Sequence, residues 1–462
     1  MNDSQVSTLL DTQRLSFEGA PSIRTTIPGP RSKSLLESQD SMETHSRTYT
    51  NYFPIAIAEG RGSTLKDLDG NVFIDWFGGV CVLNLGHGNP IVLRPMMDQL
   101  QKLSHITELP TEARLEFLRT LLSTLPGRMK DNATVMFTVS GADAVEAAIS
   151  LARAKTKKKT IIAFGGAYHG IYGSVVSATA NYHYREFAGV PSFETYHLPF
   201  PYWYRFPLKV RESEMSQLII DNLEYLIKDS YSGVGPIAGV VVEPIQGEGG
   251  YVVPPRDFLP MLREVTEKYG ILLIVDEVQS GVGRTGNIWA TEHYPNLTPD
   301  IVCISKSIGG GIPTSMIAYR KDLDEGLPGG FHLGTYRGNP VALAGGNAIL
   351  GHLKSSSLLD RVRTNGEFMR SRFEEVTKKL ETVGEVRGVG YMIGIELVKD
   401  KTSRAPNTEL ASRVRARMFK KGVLMHTCGH FGNVMRFMAP LTIEDDLIEK
   451  GLNVFESSIR ES

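Results

Sequence analysis

The stretch ILLIVDEVQSGVGRTG, residues 271–286, decides how the middle of this chain folds. Its first half is an apolar run that ends in two acids, Asp276 and Glu277. Such a run is typical of a strand in a parallel sheet, buried on both faces. Its second half, GVGRTG, fits the G-x-G-x-x-G pattern of a dinucleotide phosphate loop. The two halves therefore point to different chemistry, and the rest of the chain decides between them.

Similar apolar runs recur through the middle of the chain and alternate with helical patterns. The runs are ATVMFTV, TIIAF, IAGVVVE and IVCIS, and the helical patterns include AVEAAISLARAK and FLPMLREVTEKYG. Continuous apolar strands that alternate with helices predict an α/β domain with a mainly parallel sheet. We expect this large domain to span residues 91–345.

The two ends of the chain differ from this pattern. Residues 1–45 predict an irregular arm with a short helix in SKSLLESQ, and GSTLKDLDGNVFIDW predicts a hairpin that turns at Asp69-Gly70-Asn71. Helical and strand-like patterns in residues 346–462 predict a smaller α+β domain. We expect the arm and hairpin of residues 1–90 to pack with that smaller domain.

Composition and charge exclude several classes of partner. The chain has 50 basic and 51 acidic residues, so nothing global attracts nucleic acid or an anionic membrane. No apolar run approaches the roughly 20 residues that span a bilayer, and the N-terminus lacks the apolar core of a secretory signal. Three widely spaced cysteines favour a reducing compartment. We therefore expect a cytoplasmic enzyme or binding protein.

Five predicted strands end in residues that a buried strand does not need. In chain order these are Ser140-Gly141-Ala142-Asp143, the GGAYHG turn with Tyr168 and His169, Glu243 with Gln246 and Glu248, Asp276 with Glu277 and Gln279, and Ser305-Lys306-Ser307. Open α/β sheets bind ligands beyond the carboxyl ends of their strands. Five polar ends on one sheet therefore predict a site there.

Three of these positions have a chemical interpretation, and each also has a structural alternative. The segment SGADAVEAA can offer the N–H groups of a helix N-terminus to a phosphate. The structural alternative is that Ser140 only caps the helix and Asp143 adds favourable charge to its first turn. Lys306 precedes a glycine-rich loop, a position that suits a lysine whose amine binds a carbonyl cofactor covalently. The alternative is that its side chain extends to solvent. Asp276 suits the partner of a protonated pyridine nitrogen, or it is a cap or an ion-pair member.

Taken together, the motifs resemble those of a known enzyme family. SGADAVEAAISLAR, GGAYHG, VVVEPIQGEGG, LLIVDEVQSGVGRTG, SKSIGGGIP and GTYRGNP occur in this order. The set resembles the class III aminotransferases, which include ornithine, 4-aminobutyrate and diaminobutyrate aminotransferases. The resemblance runs from about Tyr52 to the end of the chain. It implies a homodimer of fold type I, with a sheet of seven-stranded type in the large domain and pyridoxal 5'-phosphate as cofactor.

The resemblance also gives roles to the matching residues. Lys306 matches the lysine that carries the cofactor, Asp276 the partner of its pyridine nitrogen, and Tyr168 the aromatic residue on its ring. Arg436 matches the arginine that binds the α-carboxylate, and Glu248 the glutamate that masks it. The other cofactor contacts that we expect are Ser140, Gly141, Ala142, His169, Glu243, Gln279 and Thr335, the last reaching the neighbouring subunit's cofactor.

Departures from the family pattern bear on the substrate. After Tyr-His-Gly, 4-aminobutyrate aminotransferases typically carry an arginine for the distal carboxylate, whereas this chain has Ile171. Val80 falls where the ornithine enzyme has a substrate-facing tyrosine. Arg337 stands where many relatives have glycine, and diaminobutyrate aminotransferases also tend to have an arginine at this position. We expect Arg337 to contact 2-oxoglutarate; the alternative is a structural ion pair. The expected reaction moves the ω-amine of 2,4-diaminobutyrate or ornithine to such an oxo acid.

Other functions remain as alternatives. An amino-acid racemase or epimerase of the same family would keep the same cofactor, although Glu248 and Arg436 favour transfer. A nicotinamide-dependent oxidoreductase would need a helix directly after the strand that precedes GVGRTG, where DEVQS intervenes. A binding protein that had lost catalysis would not need Lys306 and Asp276. HTCGH, residues 426–430, is a weak metal motif, and we expect no metal.

Overall fold

A computed structural model describes residues 14–186 and 194–462 of the chain. The predicted arm therefore lies partly outside the described residues, at residues 1–13. The strands are β1 (Ile57–Arg61), β2 (Thr64–Asp67), β3 (Val72–Asp75), β4 (Ala133–Thr138), β5 (Thr160–Phe164), β6 (Thr195–Leu198), β7 (Ile237–Val242), β8 (Leu272–Asp276), β9 (Ile301–Ile304), β10 (Ser315–Arg320), β11 (Val383–Val389), β12 (Met392–Leu397), β13 (Val423–Leu424), β14 (His426–Cys428) and β15 (Val434–Phe437). The helices are α1 (Pro30–Met42), α2 (Gly78–Cys81), α3 (Pro90–Lys102), α4 (Glu112–Leu122), α5 (Gly141–Thr156), α6 (Tyr182–Glu186), α7 (Met215–Lys228), α8 (Phe258–Lys268), α9 (Pro340–Ser355), α10 (Leu358–Thr377), α11 (Thr408–Lys420) and α12 (Asp445–Arg460).

The chain divides into two compact units. The first comprises Met1–Leu93 and Ser356–Ser462, and the second comprises Arg94–Ser355. In the described ranges, no helix has the length and apolar character needed to cross a membrane.

The second unit is built on a seven-stranded sheet in the order β4-β10-β9-β8-β7-β5-β6. The neighbours from β9 to β6 are parallel, and β10 runs antiparallel to both β4 and β9. This confirms the predicted α/β fold with a mainly parallel sheet. The apolar runs did not predict β6 or β10. Polar residues interrupt the sequence TYHL of β6, and the apolar part of SMIAYR in β10 is short.

The two faces of this sheet are covered by separate apolar clusters. One cluster contains Val240, Val242, Leu273 and Val275 with residues of α7 and α8. The other contains Ala238, Val241, Leu272 and Ile274 with alanines of α5. Successive side chains of a strand point to opposite faces, so β7 and β8 contribute to both clusters and read as continuous apolar runs. Burial of each such side chain stabilises the fold by about 1.5–3 kcal/mol.

The first unit contains two smaller sheets, β1-β2-β3-β13 and β11-β12-β15-β14. In the first sheet, β2 and β3 form an antiparallel hairpin whose turn holds Asp69 and Gly70. The carboxylate of Asp69 accepts the N–H groups of Arg31 and Ser32, each at 2.8 Å. These N–H groups belong to the first turn of α1 and have no partner within the helix, so the hairpin caps the helix.

Candidate active site

The polar ends of the central strands meet at one edge of the seven-stranded sheet. Gly141 begins α5 directly after β4, and a Cβ built on it would lie 2.8 Å from Val278 and 3.7 Å from Cβ of Ser305. The start of α5 therefore contacts the segments that follow β8 and β9. Lys306 comes one residue after Ser305, so the structure brings the predicted helix N-terminus close to the segments that hold Asp276 and Lys306.

Asp276 ends β8 and is buried, with 4% of its surface exposed. Its Oδ1 accepts the N–H of Val278 at 2.9 Å, and its Oδ2 lies 2.7 Å from Nδ1 of the fully buried His169. Burial lowers the pKa of His169, but the hydrogen bond and charge of Asp276, with the charge of Glu243, outweigh burial and raise this pKa above its ordinary value. His169 therefore fixes the direction of the Asp276 carboxylate.

Glu243 follows β7 and holds the neighbouring turn in place. Its two carboxylate oxygens accept the N–H of Tyr168 at 3.1 Å and the N–H of Gly247 at 2.8 Å. Burial raises the pKa of Glu243 to about 7, with the nearby charge of Asp276 adding to the effect. Tyr168, which the resemblance places on the cofactor ring, is thus positioned by its backbone.

Lys306 is half-buried and opens the short helical turn Lys306–Gly309. Its φ is +48°, in the left-handed region that a residue with a Cβ avoids. The turn is held by the hydroxyl of Ser305, which donates to the carbonyl of Thr314 at 3.2 Å. Strained positions of this kind persist where the surrounding structure fixes them, and they cluster at functional sites.

The start of α5 carries a side-chain cap and also the helix N-terminal N–H groups predicted to face a phosphate. The Ser140 hydroxyl accepts the N–H of Asp143 at 3.2 Å, which is the structural alternative set out above. The Asp143 carboxylate in turn accepts the N–H of Val139 at 2.9 Å and lies 2.7 Å from Nε2 of His332. Burial raises the pKa of Asp143, but these hydrogen bonds outweigh it and lower the pKa. The cap and the anion-binding N–H groups are compatible, because a helix leaves four N–H groups at its start.

Gln279 lies beside the loop that follows β7. Its Nε2 is 3.5 Å from a carboxylate oxygen of Glu248, and its Oε1 would be 2.4 Å from a Cβ built on Gly247. This Oε1 is buried and has no hydrogen-bond partner in the part of the chain that the structure describes. Buried polar atoms are normally paired, so an unpaired one beside Asp276 points to a bound group.

These residues fit pyridoxal phosphate. A Cβ built on Gly170 would lie 2.3 Å from the Cβ of Ala142. Glycine is therefore required at residue 170, because the backbone there lies close to α5. The Tyr-His-Gly turn is thereby pressed against the first turn of α5. The site thus offers a lysine amine, a carboxylate held by His169, the unpaired Oε1 of Gln279 and a helix start for a phosphate.

The GVGRTG stretch is folded as a loop rather than a dinucleotide site. Turns follow β8, and no helix begins directly after it in the described chain. Glu277 is completely buried and accepts two hydrogen bonds from Thr291, one from Ser280 and one from the N–H of Ala290. Burial raises the pKa of Glu277. The second acid of the stretch therefore holds the glycine loop in shape.

The three remaining predicted residues are Arg436, Thr335 and Arg337. Arg436 is on β15 of the first unit with 2% of its surface exposed, and it pairs in register with Gly394 and His426. Thr335 is exposed on the second unit. Arg337 donates to the carboxylate of Glu108 and to a backbone carbonyl, which is the ion-pair alternative.

Sequence reasoning missed several contacts that shape this site. Glu146 of α5 accepts the hydroxyl of Ser174 at 2.6 Å, and His332 pairs with Asp143 across 189 residues. No spacing pattern marks such long-range pairs. No group of three or more His, Cys, Asp or Glu residues that could hold a metal is found in the described ranges, HTCGH included.

Comparisons with known proteins identify relatives of this chain in sequence and in fold. A sequence model of the family described as aminotransferase class-III matches residues 44–459. A diaminobutyrate–2-oxoglutarate aminotransferase from Rhizobium meliloti is 36% identical over 424 residues, covering 90% of each chain. An alanine/serine racemase from Pyrococcus horikoshii is 32% identical, covering 96% of this chain and 93% of that protein. An (S)-enantioselective ω-transaminase from Thermomicrobium roseum has a similar solved structure, with a TM-score of 0.84, 28% identity and coverage of 95% of this chain and 99% of that one.

Proposed function

Because the chain belongs to the class III aminotransferases and is a pyridoxal-phosphate-dependent transaminase, we propose that it transfers the ω-amine of a diamino acid to 2-oxoglutarate. The donors that we favour are 2,4-diaminobutyrate and ornithine. The observation that carries the choice is Ile171, which follows the Tyr-His-Gly turn and is 45% exposed. An apolar side chain cannot pair a distal carboxylate, which disfavours 4-aminobutyrate. The name of the R. meliloti relative supports the same donor and acceptor.

The side chains of the site divide the work of this reaction. Pyridoxal phosphate, when bound, supplies a carbonyl that captures an amine and a ring that withdraws electrons from the adjacent carbon. Lys306 would hold the cofactor, and its free amine would remove the proton from the carbon that bears the transferred nitrogen. Asp276 keeps a proton on the ring nitrogen, because a nearby carboxylate favours the charged ring. His169 keeps that carboxylate in position.

We assign the phosphate to the start of α5 and the substrate to a separate set of side chains. Gly141 and Ala142 offer their N–H groups to the phosphate, with the positive end of the helix dipole behind them. Arg436 suits a substrate carboxylate, because its planar guanidinium can donate two parallel hydrogen bonds. Glu248 is the second substrate contact in this proposal, and the hydrogen bond that it accepts from Gln279, a proposed cofactor contact, supports this role.

Arg337 is the acceptor contact in this proposal. The ion pair with Glu108 keeps its guanidinium largely buried, with 15% of the side chain exposed. A carboxylate of 2-oxoglutarate could take the place of Glu108 on the same guanidinium, because both offer two oxygens to one fork of donors. The ion pair would then be the resting arrangement of a binding residue.

We further propose a homodimer in which Thr335 serves the partner's cofactor. Thr335 lies on a loop whose neighbours Leu333 and Tyr336 are 72% and 71% exposed. The loop rests against residues 104–109, where Asn339 donates to the carbonyl of Ser104 at 3.0 Å and Leu109 is exposed. Exposed apolar side chains gathered in this way are typical of a surface that a second protein covers.

Two inactive variants test the dimer. In a mixed dimer of Lys306→Ala and Thr335→Ala chains, one site carries both defects and the other carries none if Thr335 acts on the partner. We expect such mixtures to recover activity that neither variant shows alone. If Thr335 acted within its own chain, every site would be defective and mixing would recover nothing.

The proposed location is the cytoplasm. All three cysteines, Cys81, Cys303 and Cys428, are buried free thiols. Free thiols are typical of proteins in reducing compartments. Fractionation of cells that produce the protein, followed by immunodetection, tests the proposal, and recovery with a membrane or secreted fraction would contradict it.

A substrate panel tests the reaction itself. Diaminobutyrate, ornithine, lysine, 4-aminobutyrate and β-alanine would each be offered with 2-oxoglutarate and with pyruvate. We expect the diamino acids to lead and 4-aminobutyrate to trail. A clear lead for 4-aminobutyrate would show that Ile171 has been misinterpreted.

The similarity to an alanine/serine racemase gives a second candidate function. A racemase inverts its amino acid without an oxo acid, whereas a transaminase needs one. Incubation of single enantiomers, followed on a chiral column with and without 2-oxoglutarate, separates the two. Inversion without oxo acid would establish the racemase.

A further inference from the structure

The segment after the Tyr-His-Gly turn lies along the first two turns of α5. Gly170 is pressed against Ala142 at the start of the helix. Further on, the carboxylate of Glu146 accepts the hydroxyl of Ser174 at 2.6 Å and the N–H of Val175 at 2.9 Å. The segment is therefore fixed to the helix on both sides of residues 171–173.

Tyr172 lies between these two anchors and points at the helix start. Its hydroxyl hydrogen-bonds to the hydroxyl of Ser140, the residue that caps α5. The following residue, Gly173, has φ +64°, and a Cβ there would lie 3.1 Å from Glu146. The backbone thus turns sharply after Tyr172, which leaves the phenol beside the N–H groups of the first turn.

The contact with Ser140 is not needed to cap the helix. The Ser140 hydroxyl already accepts the N–H of Asp143, and Asp143 returns a hydrogen bond to the N–H of Val139. Although it is hydrogen-bonded, Tyr172 remains 53% exposed, so the contact is not explained by burial of its ring. A neutral O–H donor held beside a helix start is well suited to an anion.

We propose that Tyr172 is a further ligand of the cofactor phosphate and donates its O–H to a phosphate oxygen beside Gly141 and Ala142. The proposal rests on the assignment of the phosphate to the start of α5. The hydrogen bond with Ser140 holds the phenol beside the N–H groups that we assign to the phosphate. Because the phenol adjoins the start of α5, we expect the contact to depend on the phosphate and not on the cofactor ring.

Affinity for two forms of the cofactor tests the proposal. Pyridoxal phosphate and pyridoxal, which lacks the phosphate, would each be titrated into the apoprotein and followed by visible absorbance. Tyr172→Phe removes one hydroxyl, and we expect pyridoxal phosphate to bind about 10-fold more weakly, the scale of one hydrogen bond to a charged group. Pyridoxal should bind the variant and the native protein equally.

Controls separate this role from a structural one. Tyr182 on α6 is also exposed, and Tyr182→Phe should leave both affinities unchanged. Equal weakening of pyridoxal and pyridoxal phosphate by Tyr172→Phe would show a structural role and overturn the proposal, as would no change in either. Should that variant unfold, competition by inorganic phosphate against pyridoxal phosphate in Tyr172→Leu and Tyr172→His gives the same comparison. If both variants matched the native protein in phosphate competition, the proposal would be wrong.

The affinities are measured without substrate, so failure of the proposed ω-amine transfer would leave them unchanged. Conversely, a result that excludes the Tyr172 contact would not change the order of amino donors in the substrate panel. The two proposals therefore fail independently.

Discussion

Nδ1 of His169 lies 2.7 Å from Oδ2 of Asp276, and both side chains are buried. The two residues are separated by 107 positions; His169 follows β5, and Asp276 ends β8. A buried carboxylate needs a partner, and here the partner also determines its direction. The residue that we assign to the pyridine nitrogen is thus oriented by a side chain of the protein itself.

This pair predicts a dependence of stability on pH. The pKa of His169 is raised in the folded protein, so the charged pair stabilises the fold fully below the ordinary value of about 6.5 and loses this effect as pH rises through the raised pKa. His169→Asn keeps a donor near Asp276 but does not titrate. Urea unfolding of the apoprotein should show the largest loss of stability near pH 6, and the loss should shrink as pH rises through the raised pKa of His169. His183→Asn, at an exposed pair with Glu186, is the control, and a loss independent of pH would contradict the prediction.

The positive φ of Lys306 predicts that the fold is more stable with glycine than with alanine at this position. At φ +48°, a Cβ is unfavourable and glycine is not. Lys306→Gly and Lys306→Ala both remove the amine and differ only in that Cβ. We expect the glycine variant to unfold with a free energy about 1 kcal/mol higher. Equal melting temperatures would show that the turn is not strained.

Glu277 should contribute to stability rather than to chemistry. Each of its oxygens accepts two hydrogen bonds, from Ser280, Ala290 and Thr291. Glu277→Gln replaces one acceptor oxygen with an amide NH2 group that faces hydrogen-bond donors. This should lower the free energy of unfolding by about 1–3 kcal/mol. Thermal unfolding measures the loss, with Glu264→Gln on the exposed side of α8 as control. A variant as stable as the control would show that the loop does not depend on this acid.

Arg337 can be tested against its own ion pair. If its guanidinium binds 2-oxoglutarate, Arg337→Ala should raise the KM for the oxo acid about 10-fold or more, in line with the loss of a charge-assisted contact, and leave the donor KM unchanged. Glu108→Gln releases the same guanidinium without removing it, so it should not raise the oxo-acid KM. Similar defects in both variants would show that the pair is structural, and an unchanged KM in Arg337→Ala would exclude the contact.

The sequence predicts those parts of the fold and site that depend on local patterns. Continuous apolar runs predict β5, β7, β8 and β9, because a strand buried on both faces must be apolar throughout, and they also predict β4 at the edge of the sheet. The polar residues after these runs predict the edge where a ligand binds. β6 lies at the edge of the sheet and Leu198 is its one buried residue, so its composition carries little signal.

Contacts between distant residues could not be predicted in this way. His332 reaches Asp143, and Tyr172 reaches Ser140, only because the tertiary fold brings them together. Arg337 shows the same limit, since its charge was evident from the sequence but its pairing with Glu108 was not. Residue type and spacing predict which groups a site needs, whereas their partners depend on packing.

The position of β10 has a consequence for how the polypeptide is made. β4 has β10 as its neighbour in the sheet, and Thr138 at the end of β4 meets Ser315 at the start of β10 across 177 residues. At about 5–20 residues per second, the ribosome needs on the order of 10 s or more to reach β10 after β4 has emerged. Until then both β4 and β9 present open edges, which invite pairing with other chains. Nascent or truncated chains that stop before residue 315 should therefore aggregate or bind chaperones, and chains that extend past residue 320 should not.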